Sequence, residues 1–186
     1  MSINLDDKEL IKLCLNRDKS AIKELYIRYG GYLLTICIRY MGNRQEAEDL
    51  FQDAFLKILN SLDKFTWKGG GSLKAWLTKC VCNECLQQIR KKKLLITDKD
   101  INEYINIVYE PSAEDIIKIP YSTLLQFIAE LPDGYRNVFN MFVFEKMTHK
   151  EISKKLNIKE KTSSSQFYRA RQLLAEKIKL YMNRQI

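Results

Sequence analysis

The chain has 186 residues, 46% of them hydrophobic and 29% charged, with 31 Lys and Arg against 23 Asp and Glu for a formal net charge of +8. With only 7 glycines and 3 prolines, this composition excludes collagen, low-complexity linker and wholesale disorder, and it suffices to bury one large core or two small ones. The longest apolar stretch, Tyr32–Met41, is broken by Arg39 and falls short of a membrane span, the N-terminus is too acidic for a leader, and five cysteines in an odd set fit a reduced cytosolic compartment.

In chain order, Leu10, Leu13, Cys14, Ile22, Leu25, Tyr26 and Tyr29 recur at helical steps, with a break at Asp18 to Ser20. A second run, Leu33, Leu34, Cys37, Ile38 and Met41, stops at Gly42-Asn43. The third is the clearest: Ala47, Leu50, Phe51, Ala54, Phe55, Ile58, Leu59 and Leu62 trace the wide apolar stripe of an amphipathic helix. Lys64 to Ser72 holds Gly69-Gly70-Gly71 and reads as a loop. A fourth helix runs from about Leu73 through Trp76, Leu77, Cys80 and Leu86 to Lys93. The stretch Ile101–Tyr109 alternates like a strand, but its acidic flanks and Pro111 favour a linker.

Further on, Ser122–Leu131 reads as a helix closed by Pro132-Asp133-Gly134, and Tyr135, Val138, Phe139, Phe142 and Val143 are the stripe of the next. Thr148 with Glu151 forms a capping box that starts a short helix with Ile152 and Leu156 inward, and Asn157 is placed to end it in a left-handed turn. Thr162 to Met182 is long and helical, with Phe167, Ala170, Leu174 and Ile178 on one side. A short helix, a tight turn and a longer basic helix make a helix-turn-helix, whose second helix fits the DNA major groove.

The charge is arranged in blocks. Residues 1–93 carry 17 basic and 11 acidic groups, residues 94–118 carry 2 and 6, and residues 144–186 carry 11 and 4. Two basic lobes around an acidic connector suit two modules touching one polyanion; solvated helix faces that happen to be basic are the bland alternative.

Catalytic and metal chemistries find little support. In a helix Cys80 and Cys82 point apart, and the single histidine, His149, lies far along the chain within the capping box, whereas a structural zinc needs four convergent ligands. The Cys80, Cys82 and Cys85 cluster therefore reads as small buried hydrophobes. No phosphate-binding or dinucleotide glycine motif and no Ser/His/Asp set is present, so the expectation is a protein that is not an enzyme and needs no cofactor.

Several strings now resemble one family. Glu46-Ala47-Glu48-Asp49-Leu50-Phe51-Gln52-Asp53-Ala54-Phe55 is similar to the "AEDLVQEVF" helix of bacterial extracytoplasmic-function (ECF) sigma factors. Phe65, then Leu73-Lys74-Ala75-Trp76-Leu77, Asn83 and Arg90, resembles that family's "F…FKAWL…N…R". Leu131 to Phe139 resembles "LP…YR.VF", while Glu151 to Leu156 and Tyr168 to Leu174 resemble "EIA..L" and "SRAR..L". The set keeps the family's order and spacing over about residues 10–93 and 122–180.

The resemblance implies an all-α protein of two small helical domains, region 2 over 8–93 and a region 4 helix-turn-helix over 121–183, joined by an acidic linker over 94–120. It implies a transcription initiation factor whose partners are promoter DNA, the clamp and flap regions of RNA polymerase, and an anti-sigma factor, often membrane-anchored, with no small-molecule substrate. Asp49, Gln52 and Asp53 share a helix face opposite Leu50, Ala54 and Ile58, and with Phe55 are the implied core polymerase contacts. Phe65, Trp67, Lys68, Lys74, Asn83 and Arg90 are the implied contacts to the minus-ten strand: melting requires aromatic surfaces for unstacked bases, and Arg90 to Lys93 make a basic helix end for phosphate. Trp76, on the apolar face with Cys80, reads as core first. Lys161, Ser164, Ser165, Tyr168, Arg169 and Arg171 are the implied minus-thirty-five contacts, Arg169 being the guanine reader. The chain departs from the family in having Ser163 for Val, Ser164 and Gln166 for basic residues, and Lys159 for the usual N-cap Ser. A stand-alone helix-turn-helix regulator and an adaptor bundle remain the competing readings.

Overall fold

The computed structural model describes residues 5–93 and 111–184, without the side chains of Lys92 and Lys93; all regular structure among these residues is helical. The chain divides into two compact units, Met1–Thr97 and Asp98–Ile186.

The first unit comprises α1 (Asp7–Leu15), α2 (Lys19–Met41), α3 (Arg44–Asn60) and α4 (Ser72–Lys93), with one 3-10 turn at Leu62–Lys64. Each of the first three helices starts at a short polar side chain that takes up a free backbone amide: Asp6 accepts from the Glu9 N–H at 2.7 Å, Asp18 from Ala21 at 2.8 Å and Asn43 from Glu46 at 3.1 Å. Gly42, at φ 73°, ends α2 in the left-handed conformation. The sequence separates two apolar runs at Gly30-Gly31, yet α2 passes through them unbroken. The reason is packing. Gly30 is buried where α2 meets α3, and a Cβ there would stand 3.5 Å from the tip of the Phe51 ring, in ordinary contact. Leu25, Leu33, Ile36, Ile58, Leu73 and Leu77 form the sealed centre of the bundle, each worth about 1.5–3 kcal/mol of burial. Asp7 fastens α1 to α2, accepting from the Tyr29 hydroxyl at 2.7 Å and from Arg28 at 3.1 Å.

The second unit comprises α5 (Ala113–Ile117), α6 (Tyr121–Ala129), α7 (Asp133–Val143), α8 (His149–Leu156) and α9 (Glu160–Asn183). The end of the expected linker is thus helical: Ser112 and Asp115 form a capping box for α5, which packs on α9, and Ile119 is buried. Residues 94–110, with most of the acidic connector and the strand-like Ile101–Tyr109, lie outside the described residues.

Arg136 closes the α6–α7 turn. Its buried guanidinium donates to the carbonyls of Ala129 at 3.0 Å and Leu131 at 2.6 Å and pairs with Asp133, satisfying groups that the end of α6 leaves free. The helix-turn-helix follows. Thr148 and Glu151 cap α8 reciprocally, and Asn157 at φ 55° reverses the chain into α9. Lys159 occupies the N-cap of α9 without a side-chain bond. Ser163, where an apolar residue is usual in the family it resembles, is fully buried, and its hydroxyl lies 3.0 Å from His149 Nδ1. The His149 ring stacks on Phe142 at 4.7 Å and tilts against Phe167 at 5.8 Å, joining α7, α8 and α9.

Candidate polymerase and nucleic-acid interfaces

On α3 the apolar stripe turns inward, with Leu50, Ala54 and Ile58 buried, so Asp49, Gln52 and Asp53 are carried to the exposed side. Phe55 differs from the expectation. It is 7% exposed and packed edge-on against Tyr26 at 5.3 Å and beside Phe51 at 5.9 Å, so it supports the acidic face from beneath rather than presenting itself to a partner. The exposed stripe continues instead at Leu56, 60% exposed, three residues beyond Asp53 and four beyond Gln52. The signal for Leu56 was its position: an apolar residue off the buried stripe.

The loop before α4 gathers its aromatic residues. The Phe65 ring lies 6.5 Å from Trp67 and 5.5 Å from Trp76, both near edge-on, with Trp67 37% exposed. Trp76 is therefore half-buried and joins the loop to the helix rather than sitting in the core. Gly69 at φ 103° and Gly71 at φ 79° take conformations that side chains disfavour. Ser72 locks the turn, its hydroxyl donating to the Gly69 carbonyl at 2.6 Å and accepting from the Lys68 N–H at 3.3 Å. Lys68, Lys74, Asn83, Arg90 and Lys91 are all exposed. Lys74 Nζ stands 4.4 Å over the ring of Tyr32, a residue of α2 that spacing alone did not mark.

Helices α2 and α4 also carry four of the five thiols. Cys37, Cys82 and Cys85 are buried, and Cys80 is half-buried. A hydrogen bond with Cys37, followed by burial, holds the Cys85 thiol well above its usual range. Among the described residues no cluster of three His, Cys, Asp or Glu side chains is arranged to hold a metal.

In the second unit Lys161, Ser164, Ser165, Tyr168 and Arg171 are exposed on α9 and Arg169 is half-buried. The Ser165 hydroxyl donates to the Thr162 carbonyl at 3.0 Å, leaving Ser164 as the outward hydroxyl. Tyr168 is 58% exposed, but its oxygen accepts from the amide of buried Gln172 at 3.1 Å, so the ring is held on the exposed face of α9. The remaining feature is an apolar groove of about 500 Å³, lined by Tyr121, Leu124, Ile128, Phe139, Leu174 and Ile178 among others.

Comparison with known proteins follows the same division. Residues 25–94 match the family model for sigma-70 region 2, and residues 121–174 match that for sigma-70 region 4. The ECF RNA polymerase sigma factor SigW of Bacillus subtilis is 27% identical over 182 residues, 92% of this chain and 96% of the relative. SigM of the same organism is 28% identical over 156 residues, 82% of this chain and 92% of the relative. Among solved structures, the sigma factor RpoE from Bartonella quintana, in complex with the anti-sigma factor NepR, shares the fold with a TM-score of 0.50 and 22% identity, covering 84% of this chain and 96% of that one.

Proposed function

The chain belongs to the sigma-70 family as an ECF sigma factor, a non-enzymatic transcription initiation factor that binds core RNA polymerase and directs it to promoters, and from that premise we propose how its residues divide the work. The exposed carboxylates of Asp49 and Asp53, with Gln52 and Leu56, receive a basic surface of the polymerase clamp. An acidic face on a chain of net charge +8 is suited to a protein partner and repels phosphate. Phe65 and Trp67 receive bases as they leave the duplex, each stacked base contributing about 1–3 kcal/mol. Lys68 in the loop, and Lys74, Asn83 and Arg90 along α4, hold the same strand. In the second unit α9 enters the major groove at the minus-thirty-five element, where Arg169 offers two parallel donors to guanine, Ser164 and the fixed Tyr168 contact neighbouring bases, and Lys161 and Arg171 take phosphates.

The observation that supports this most strongly is the pairing within one chain of an aromatic loop suited to unpaired bases with a helix suited to paired ones. A stand-alone regulator would have no use for the first. The chain acts in the cytoplasm, in keeping with the lack of any helix among the described residues long and apolar enough to cross a membrane. An anti-sigma partner, as RpoE has in NepR, is part of the same reading, with the apolar groove of the second unit as its seat.

Gel filtration with core polymerase and transcription from a promoter panel test the division. The Asp49→Ala, Asp53→Ala double variant loses co-elution. Arg169→Ala keeps co-elution but loses about 1–3 kcal/mol of discrimination at one promoter position. Tight duplex binding by the free chain, with no co-elution, would restore the stand-alone regulator.

A further inference from the structure

Lys74 stands third in α4, in the first turn, where the helix dipole disfavours a cation. Nothing acidic compensates it: among the described residues no carboxylate pairs with its ammonium. It is held instead by an aromatic face, Nζ lying 4.4 Å from the centre of the Tyr32 ring. That ring is itself tied down. The Thr78 hydroxyl, one turn beyond Lys74, lies 3.2 Å from the Tyr32 hydroxyl and donates to the Lys74 carbonyl at 2.7 Å. Thr78 has a single proton and gives it to the carbonyl, so the Tyr32 proton completes the pair.

The chemistry of this arrangement differs from that of a salt bridge. A carboxylate would fix the ammonium and cancel its charge; a ring face fixes it and leaves the charge whole, with donors still free on the outward side. Such a cation, pre-placed and uncompensated beside the positive end of a helix, is suited to a phosphate that arrives later. Tyr32 lies on α2, outside every string that marked the strand-binding surface, and is 40% exposed.

We propose that Tyr32 is a positioning residue for the melted strand, its ring holding the Lys74 ammonium in place to receive a phosphate of single-stranded DNA. The inference rests on the reading of α4 as the strand-binding helix and adds to it the residue that makes one of its cations ready.

The test uses holoenzyme assembled from the full chain and core polymerase, with a fluorescent single strand carrying the non-template sequence upstream of a start site that the holoenzyme uses. Affinity is measured across a salt series. Lys74→Ala lowers the slope of log affinity against log salt by about 0.7, the value for one single-strand phosphate contact. Tyr32→Leu weakens binding by about two- to five-fold and moves the slope towards that of Lys74→Ala, while Tyr32→Phe, which keeps the ring face and loses only the tie to Thr78, costs less than Tyr32→Leu in both. In the Lys74→Ala background Tyr32→Leu costs nothing more. Should Tyr32→Leu fail to fold, Tyr32→Gln also removes the ring and takes its place. If Lys74→Ala weakens binding but removing the ring does not, or if the two losses add, Tyr32 does not act through Lys74 and the proposal is overturned while the strand-binding reading stands. If Lys74→Ala itself changes nothing, both fall for this residue.

Discussion

Ser163 is a hydroxyl at a fully buried position in the heart of the helix-turn-helix, and it is tolerated because His149 turns Nδ1 towards it at 3.0 Å. Each supplies the other's missing partner, so the two residues are coupled. His149→Leu leaves a buried hydroxyl unsatisfied and destabilises the second unit by about 1–3 kcal/mol, whereas His149→Leu with Ser163→Val costs less than the single change, as thermal unfolding of the full chain measures. Equal or greater loss in the double variant would mean that the hydrogen bond carries no weight. The cysteines follow from burial in the same way. The Cys14 thiol is pushed up to about 11 by burial and by nearby Asp18, and Cys85 is held well above its ordinary value by Cys37 and burial. Burial and nearby Glu84 raise the Cys80 thiol as well, so access decides: iodoacetamide should label half-buried Cys80 first and the four buried thiols only after unfolding, as peptide mass analysis reads directly.

At the scale of elements, the loop before α4 depends on two of its three glycines. Gly69 and Gly71 have positive φ, while Gly70 does not and has open space around it. Gly69→Ala and Gly71→Ala each introduce strain of about 1 kcal/mol and displace the Phe65–Trp67 pair, so they reduce promoter opening; Gly70→Ala does not. Permanganate reactivity of unpaired thymines separates these outcomes, and equal effects at all three positions would contradict the account. Helix identities were readable here because strong local devices mark them: Asp18, Asn43, the Thr148–Glu151 box and Asn157 behave as their chemistry dictates. What escaped depends on contacts between elements. Periodicity does not reveal that Gly30 is buried beside the Phe51 ring, so α2 read as two runs. Nor does it separate Phe55, which fills a seam with Tyr26, from Leu56, which the same helix turns outward. Tyr32 gave no signal at all, because its partners Lys74 and Thr78 lie more than forty positions along the chain.

For the molecule as a whole, two units share one chain, and the charge pattern fits the proposed division of tasks: basic groups on both lobes to meet DNA, a compact acidic face on α3 to meet protein. Neither unit is sufficient in this account, because capture of unpaired bases requires an opened duplex and reading of paired bases alone opens nothing. The most direct measurement is run-off transcription on a genomic library with purified core polymerase, with and without the full chain. The account predicts new, discrete start sites that vanish with the Asp49→Ala, Asp53→Ala variant and change in relative use with Arg169→Ala. Transcripts identical to those of core polymerase alone would contradict it.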